Sequence, residues 1–357
     1  MASDFFEPGR HGDADAENGV TDFAVNVQPG PPEFVRAALA ARLGDLAAYP
    51  TPADTERAVS LIADRHRRRP AEVLLLDGAA EGFELLARLA PAHIALIEPS
   101  FTEPERVLRA TGARISRVVG EWPWRLDTAQ VPDDADLVIL GNPTNPTSVL
   151  HTREQIVALC RPGRLVVVDE AFADLTRDAG TGEREPQSLA DALPAGVVVI
   201  RSVTKTFGLA GLRVGYLLAA PEVIARLVAG RRHWPLGTLA LTGLAECVGP
   251  RGDRYADRLA GRIAADRDHL LALLTAAGIE LCVEPAAPYV LIRVDDGLGM
   301  KAALRERGFG VRSCANFTGL GPDHLRIAVR SAEDSSALVA AMAQIAADRL
   351  LTVPGGL

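Results

Sequence analysis

The segment Ser202-Val-Thr-Lys-Thr-Phe-Gly-Leu-Ala-Gly-Leu-Arg-Val-Gly-Tyr216 places hydroxyls, an amine, several glycines and the guanidinium of Arg213 within short reach of one another. Lys205 is one of two lysines in a chain of 357 residues; the rest of its 38 basic residues are arginines. Arginine serves wherever positive charge alone is needed, but a guanidinium stays protonated and cannot condense with an aldehyde. A lysine retained here points to covalent chemistry through an imine. Scarcity by itself proves little, because a chain rich in Ala, Arg, Gly and Pro is poor in lysine throughout. The second lysine, Lys301, sits on an amphipathic stretch and reads as a solvated surface charge. The surroundings of Lys205 have to decide.

Those surroundings are the ends of apolar runs. Residues 73–76, 93–97, 136–140, 165–168, 197–200 and 213–218 are apolar on both faces or nearly so and read as strands; 78–89, 103–111, 152–160 and 221–232 read as helices. Such strands belong to a mostly parallel sheet covered on both sides, an α/β layer architecture. Ligands of these sheets gather at the carboxyl ends of the strands. There lie Gly78, Phe101, Asn145, Asp169 and, after the fifth run, Ser202, Thr204 and Lys205. Singly, each has an ordinary reading: Asp169 as a helix N-cap, Asn145-Pro146 as a turn, Phe101 as core, Ser202 and Thr204 as turn formers, Gly208 and Gly211 as packing glycines. Five strand ends converging on one amine outweigh any single motif.

After Pro235 the pattern changes. A long helical periodicity to about Ala277 is followed by strand-like 279–283, 289–294, 310–313 and 324–329, a helix at 299–307 and a last helix from Ala332. This predicts a large α/β domain at 31–248 and a smaller α+β domain made of 1–30 plus 249–357, in keeping with the length. A composition of 48% hydrophobic and 24% charged residues is that of a globular protein. The net charge of −8, with arginines spread along the chain, argues against nucleic acid as a partner, and Arg67-Arg68-Arg69 suits the end of a helix. Cys160, Cys247, Cys282 and Cys314 form no CxxC pair and the histidines no ligand spacing, so neither a metal nor a disulfide framework is expected. With no signal-like segment and no apolar run of membrane-spanning length, the expected location is the cytoplasm.

Taken together, Asn142-Pro-Thr-Asn-Pro-Thr147, Val168-Asp-Glu-Ala-Phe172 and the Lys205 segment resemble the fold-type I pyridoxal-phosphate enzymes of the class I/II aminotransferase family, from about Asp22 to the last helix. The resemblance implies that Lys205 forms an imine with the aldehyde of pyridoxal 5′-phosphate. Asp169 would hold a proton on the pyridine nitrogen, so that the ring draws electrons from the substrate Cα. Asn145 would donate to the ring oxygen and Phe101 would stack on the ring. Ser202, Thr204, Arg213 and the N–H groups of Ala79 and Ala80 behind Gly78 would hold the cofactor phosphate, at a helix start that favours an anion. Tyr49, in Ala48-Tyr-Pro50, resembles the tyrosine that these homodimers lend to the neighbour's cofactor phosphate. Phe172 departs from the pattern, since many members have a tyrosine there whose hydroxyl also reaches the ring oxygen.

Substrate choice is written near the other end of the chain. Val311-Arg-Ser-Cys-Ala-Asn-Phe-Thr-Gly-Leu320 and His324-Leu-Arg-Ile-Ala-Val-Arg-Ser331 set Arg312, Arg326 and Arg330 on neighbouring strand-like segments, a pattern suited to a doubly anionic small molecule. These strings, with His11-Gly12 and Asp22-Phe-Ala-Val-Asn26, are similar to the L-threonine-O-3-phosphate decarboxylases of cobalamin biosynthesis. On that resemblance Arg326 would bind the substrate carboxylate and Arg312, Asn26 and His11 its phosphate, with Arg330 a third substrate arginine of unassigned target. Gln28 and Gly30 stand where the resemblance predicts Asn-Pro-Leu-Gly. The expected reaction is decarboxylation of L-threonine O-3-phosphate to an aminopropanol phosphate. The alternative is an aminotransferase acting on a phosphorylated amine such as histidinol phosphate. A non-catalytic ligand-binding module is a third reading, disfavoured because no basic helix-turn-helix precedes Tyr49.

Overall fold

The computed structural model describes residues 19–192 and 194–352. Its strands are β1 (Thr21–Phe23), β2 (Val73–Leu76), β3 (His93–Glu98), β4 (Arg114–Val119), β5 (Leu137–Gly141), β6 (Leu165–Asp169), β7 (Val197–Ser202), β8 (Gly215–Leu218), β9 (Glu280–Leu281), β10 (Tyr289–Arg293), β11 (Phe309–Ser313) and β12 (His324–Ala328). Seven form the larger sheet, in the order β2-β8-β7-β6-β5-β3-β4. β3 to β7 pair in parallel, while β8 runs antiparallel to both β2 and β7.

The apolar runs form strands because both of their faces find cover. Along β3, β5, β6 and β7 alternate residues face opposite cores: Ala95, Val138, Val166 and Val199 pack on one side, Ile94, Ile139, Val167 and Val198 on the other. Burying each such side chain is worth about 1.5–3 kcal/mol, which is what a parallel sheet needs on both faces. The smaller sheet has the order β1-β11-β12-β10-β9, with β1 parallel to β11 and the remaining pairs antiparallel. Its core joins Phe23, Val290, Ile292, Val311 and Ile327 to Leu270, Leu338 and Met342 of the flanking helices. The chain's start thus completes a sheet built from its end.

Three elements differ from the sequence expectation. β4 was not anticipated, because Arg114-Ile-Ser-Arg-Val-Val119 is an edge strand whose polar positions stay exposed and break the apolar run. The long helical stretch is two helices, Thr238–Val248 and Pro250–Ala276, since Gly249 is extended and Pro250 opens a new helix. Arg213 precedes its strand instead of belonging to it: it has a φ of 53° in a turn, and β8 begins at Gly215. Helix Pro52–His66 ends as the arginine triplet suggests, with Arg67 in the left-handed cap position. Among the described residues, no helix is long and apolar enough to cross a membrane, and no group of three or more His, Cys, Asp or Glu could hold a metal ion.

Candidate active site

A cavity of about 380 Å³ opens beyond the carboxyl ends of β3, β5, β6 and β7, a typical size for a small-molecule site. Lys205, Asp169, Asn145, Phe101, Phe172 and Arg213 line it together with Asn26, Arg312, Phe317 and Arg326. Residues up to three hundred positions apart in sequence therefore share one wall.

Each is placed by its element. Asp169 is the last residue of β6, and its Oδ1 accepts the Ala171 N–H at 3.1 Å. Burial pushes this carboxyl up to about 6, against the opposing pull of that N–H and of the Lys205 charge. Lys205 lies in the short helix Thr204–Phe207 directly after β7, closed by Gly208 at a φ of 64°. A Cβ on Gly208 would fall 2.6 Å from the Gly30 carbonyl carbon, and the Gln28 N–H donates to the Lys205 carbonyl at 3.2 Å. The N-terminal segment lies directly on the lysine turn, so Gly208 has its physical reason there. Asn145 is carried by a loop that Asn142 closes: its side chain donates to the His151 carbonyl at 3.1 Å and accepts the His151 N–H at 2.8 Å. Asn145 Oδ1 accepts from Arg326, which leaves Nδ2 as the donor of that amide.

Behind the cavity lies a cradle suited to a phosphate. Helix Ala79–Leu86 starts at Gly78 with no side-chain cap, leaving the N–H groups of its first residues, Ala79 and Ala80, without one. Gly78 has a φ of 76°, and a Cβ there would lie 2.6 Å from Arg213 Nη2, so the guanidinium rests on the bare helix start. Ser202 and Thr204 are buried beside it, the Ser202 hydroxyl accepting the Thr204 N–H at 3.2 Å. An uncapped helix start, a guanidinium and two hydroxyls fit a phosphate monoester, and an acid beside an amine fits a pyridine aldehyde.

The substrate end is built from the smaller sheet. Arg312 and Arg326 are buried on β11 and β12; Arg312 donates to Asn316 Oδ1 at 3.0 Å and Arg326 to the Ala24 carbonyl at 2.5 Å. Asn26 is 7% exposed, and among the described residues neither end of its amide has a hydrogen-bond partner. Such a group is expensive to bury unless a ligand satisfies it. Arg330 does not join this wall. It donates through Nε to the Asp22 carbonyl at 2.7 Å and through Nη2 to the Val25 carbonyl, so the expected third substrate arginine instead grips backbone.

Other expected site residues lie apart or outside. His11 falls outside the described residues. Tyr49 is 73% exposed and stacks on Trp234 with ring centroids 4.4 Å apart, at the surface and not in this chain's cavity wall. Phe172 meets Tyr289 edge-on at 5.0 Å, but the Tyr289 hydroxyl donates to the Thr144 carbonyl and does not replace the absent one.

Sequence reading missed a buried ionic network directly under the site. Arg201, 2% exposed, bonds Glu170 at 2.8 Å, Asp174 at 2.6 Å and Glu185 at 2.7 Å. Arg65 meets Asp174 and Glu185 from another helix, and the Thr206 hydroxyl reaches Asp174 at 3.3 Å. Glu170 follows Asp169, Arg201 precedes Ser202 and Thr206 follows Lys205, so one charge cluster braces three site residues. The only sequence signal was a polar neighbour at each strand end.

The chain matches the family described as Aminotransferase class I and II over residues 18–344. It is 51% identical over 335 residues to a histidinol-phosphate aminotransferase of Mycobacterium tuberculosis, covering 94% of this chain and 90% of that one. It is 27% identical over 347 residues to the threonine-phosphate decarboxylase of Salmonella typhimurium, covering 91% and 90% of the two chains. Among solved structures, the histidinol-phosphate aminotransferase from Clostridium acetobutylicum superposes with a TM-score of 0.82 over 92% of this chain and all of that one, at 23% identity.

Proposed function

This chain belongs to the class I and II aminotransferases, a family dependent on pyridoxal 5′-phosphate, and from that premise we propose that it moves an amino group between a phosphorylated amine of the histidinol phosphate type and a 2-oxo acid. The observation that carries the reading is the single cavity in which Lys205 and Asp169 face two buried guanidinium groups and an unpartnered amide. The 51% identical relative supports transamination over the decarboxylation that the C-terminal arginine strings suggested.

When bound, the cofactor supplies an electron sink for the carbon that bears the amine. The chain does the rest. Lys205 Nζ would hold the cofactor through its aldehyde and, as a free amine, would carry the proton to and from the substrate Cα. The Asp169 carboxylate would hold a proton on the ring nitrogen, Asn145 Nδ2 would donate to the ring oxygen and Phe101 would cover the ring. Arg213, Ser202, Thr204 and the N–H groups of Ala79 and Ala80 would hold the cofactor phosphate, and Tyr49 of a second copy of the chain would complete the cradle in a homodimer. Arg312 and Asn26 take the substrate phosphate and Arg326 the carboxylate of the 2-oxo acid.

Phe172 favours a second reading, decarboxylation of L-threonine O-3-phosphate, because the hydroxyl often found there in aminotransferases is absent. One experiment separates the two. The purified, cofactor-loaded protein receives histidinol phosphate with 2-oxoglutarate, or threonine phosphate alone, and glutamate and carbon dioxide are measured. Glutamate formed at enzyme-like rates upholds transamination; carbon dioxide without glutamate overturns it. In either case Lys205→Ala should abolish turnover and the visible absorption of the bound cofactor.

A further inference from the structure

We propose that Arg330 is a positioning residue: it clamps the backbone of residues 22–25 so that Asn26 is presented to the cavity beside Arg312. The inference rests on the reading of Asn26 as a ligand for the substrate phosphate.

Three observations meet here. First, both hydrogen bonds from Arg330 go to main-chain carbonyls, those of Asp22 and Val25, which bracket the chain just before Asn26, and its Nη2 also lies 3.7 Å from Asp22 Oδ2. Second, Asp22 bends the same segment from within, its Oδ1 accepting the N–H groups of Ala24 at 2.7 Å and Val25 at 3.0 Å. That turn takes the chain off β1 and points it across the cavity mouth. Third, the amide thus delivered is buried in the cavity wall with both ends unsatisfied among the described residues. A group left in that condition is held there by something else, and the planar fork of Arg330 is suited to the task, since two donors fixed in one plane can span two carbonyls. A lysine, with its single nitrogen on a flexible stem, cannot reproduce that spacing.

The test uses cofactor-loaded full-length protein with Arg330→Gln, Arg330→Lys, Asn26→Ala and the Asn26→Ala/Arg330→Gln double variant. Hydrogen exchange of peptides covering residues 20–30, followed without substrate, should be at least tenfold faster in both Arg330 variants, with protection of the seven-stranded sheet unchanged. For histidinol phosphate, KM should rise roughly tenfold in Arg330→Gln and in Asn26→Ala at nearly constant kcat, and the double variant should be no worse than Asn26→Ala alone. Unchanged exchange, or a double variant whose effects multiply, overturns the clamp, the latter showing that Arg330 meets the substrate itself. Faster exchange with an unaltered KM in Asn26→Ala upholds the clamp's mechanical part and overturns the phosphate role of Asn26, so the two failures are distinguishable.

Discussion

Asp169 is costly to the protein until it has a partner. Its carboxyl is raised to about 6 in the folded chain, so between roughly pH 4 and 6 the native state holds a proton that the unfolded chain has lost. Stability therefore falls as pH rises through that window, and the full penalty is present above it. Without cofactor, Asp169→Asn should be more stable than the parent at pH 7 by roughly 1–2 kcal/mol, after screening through the open cavity, and equal to it below pH 4. Thermal unfolding at the two pH values checks this; a difference that persists at low pH would contradict it. That Asp169 and Lys205 line one cavity was legible from their strand-end positions, where ligands of a parallel sheet gather. The target of Arg330 was left open for the converse reason. A guanidinium serves an anion or a carbonyl equally well, and its residue type does not say which one folds against it.

At the level of elements, the turn before β8 sets the Arg213 guanidinium on the start of the helix Ala79–Leu86, the proposed phosphate cradle. Gly78→Ala forces a Cβ onto Arg213 Nη2 and a side chain into a left-handed φ. The strain is of order 1–3 kcal/mol. Displacement of Arg213 should weaken cofactor binding tenfold or more, as titration of cofactor absorbance would reveal, while the secondary structure measured by circular dichroism stays intact. The central strands were legible because parallel strands buried on both faces are continuous apolar runs. β4 was not, since its outer edge faces solvent, and neither was the turn of Arg213, whose left-handed φ belongs to the meeting of two elements.

Across the whole molecule, the Arg201 cluster joins the helix Pro52–His66, the loop after β6, β7 and the segment around Glu185 into one ionic unit. Removing its centre with Arg201→Met strands buried carboxylates and should cost about 3–5 kcal/mol in urea unfolding. A loss below 1 kcal/mol would mean that the cluster is dispensable. Tyr49 belongs to this scale as well. It is exposed and stacks on Trp234; on the proposed role toward a second copy of the chain, Tyr49→Phe should leave the sedimentation coefficient unchanged and weaken cofactor affinity.

The order of layers and the strand ends that carry Lys205 and Asp169 were already set in the linear chain, since they depend on runs of apolar side chains. Folding alone settled where Arg330 spends its donors, that Asn26 stands in a cavity wall with its amide unsatisfied among the described residues, and that Arg201 braces three segments of the candidate site from below. Those facts depend on which distant stretches are brought within 3 Å of each other, and hydrogen bonds of that length form between surfaces that only the packed molecule possesses.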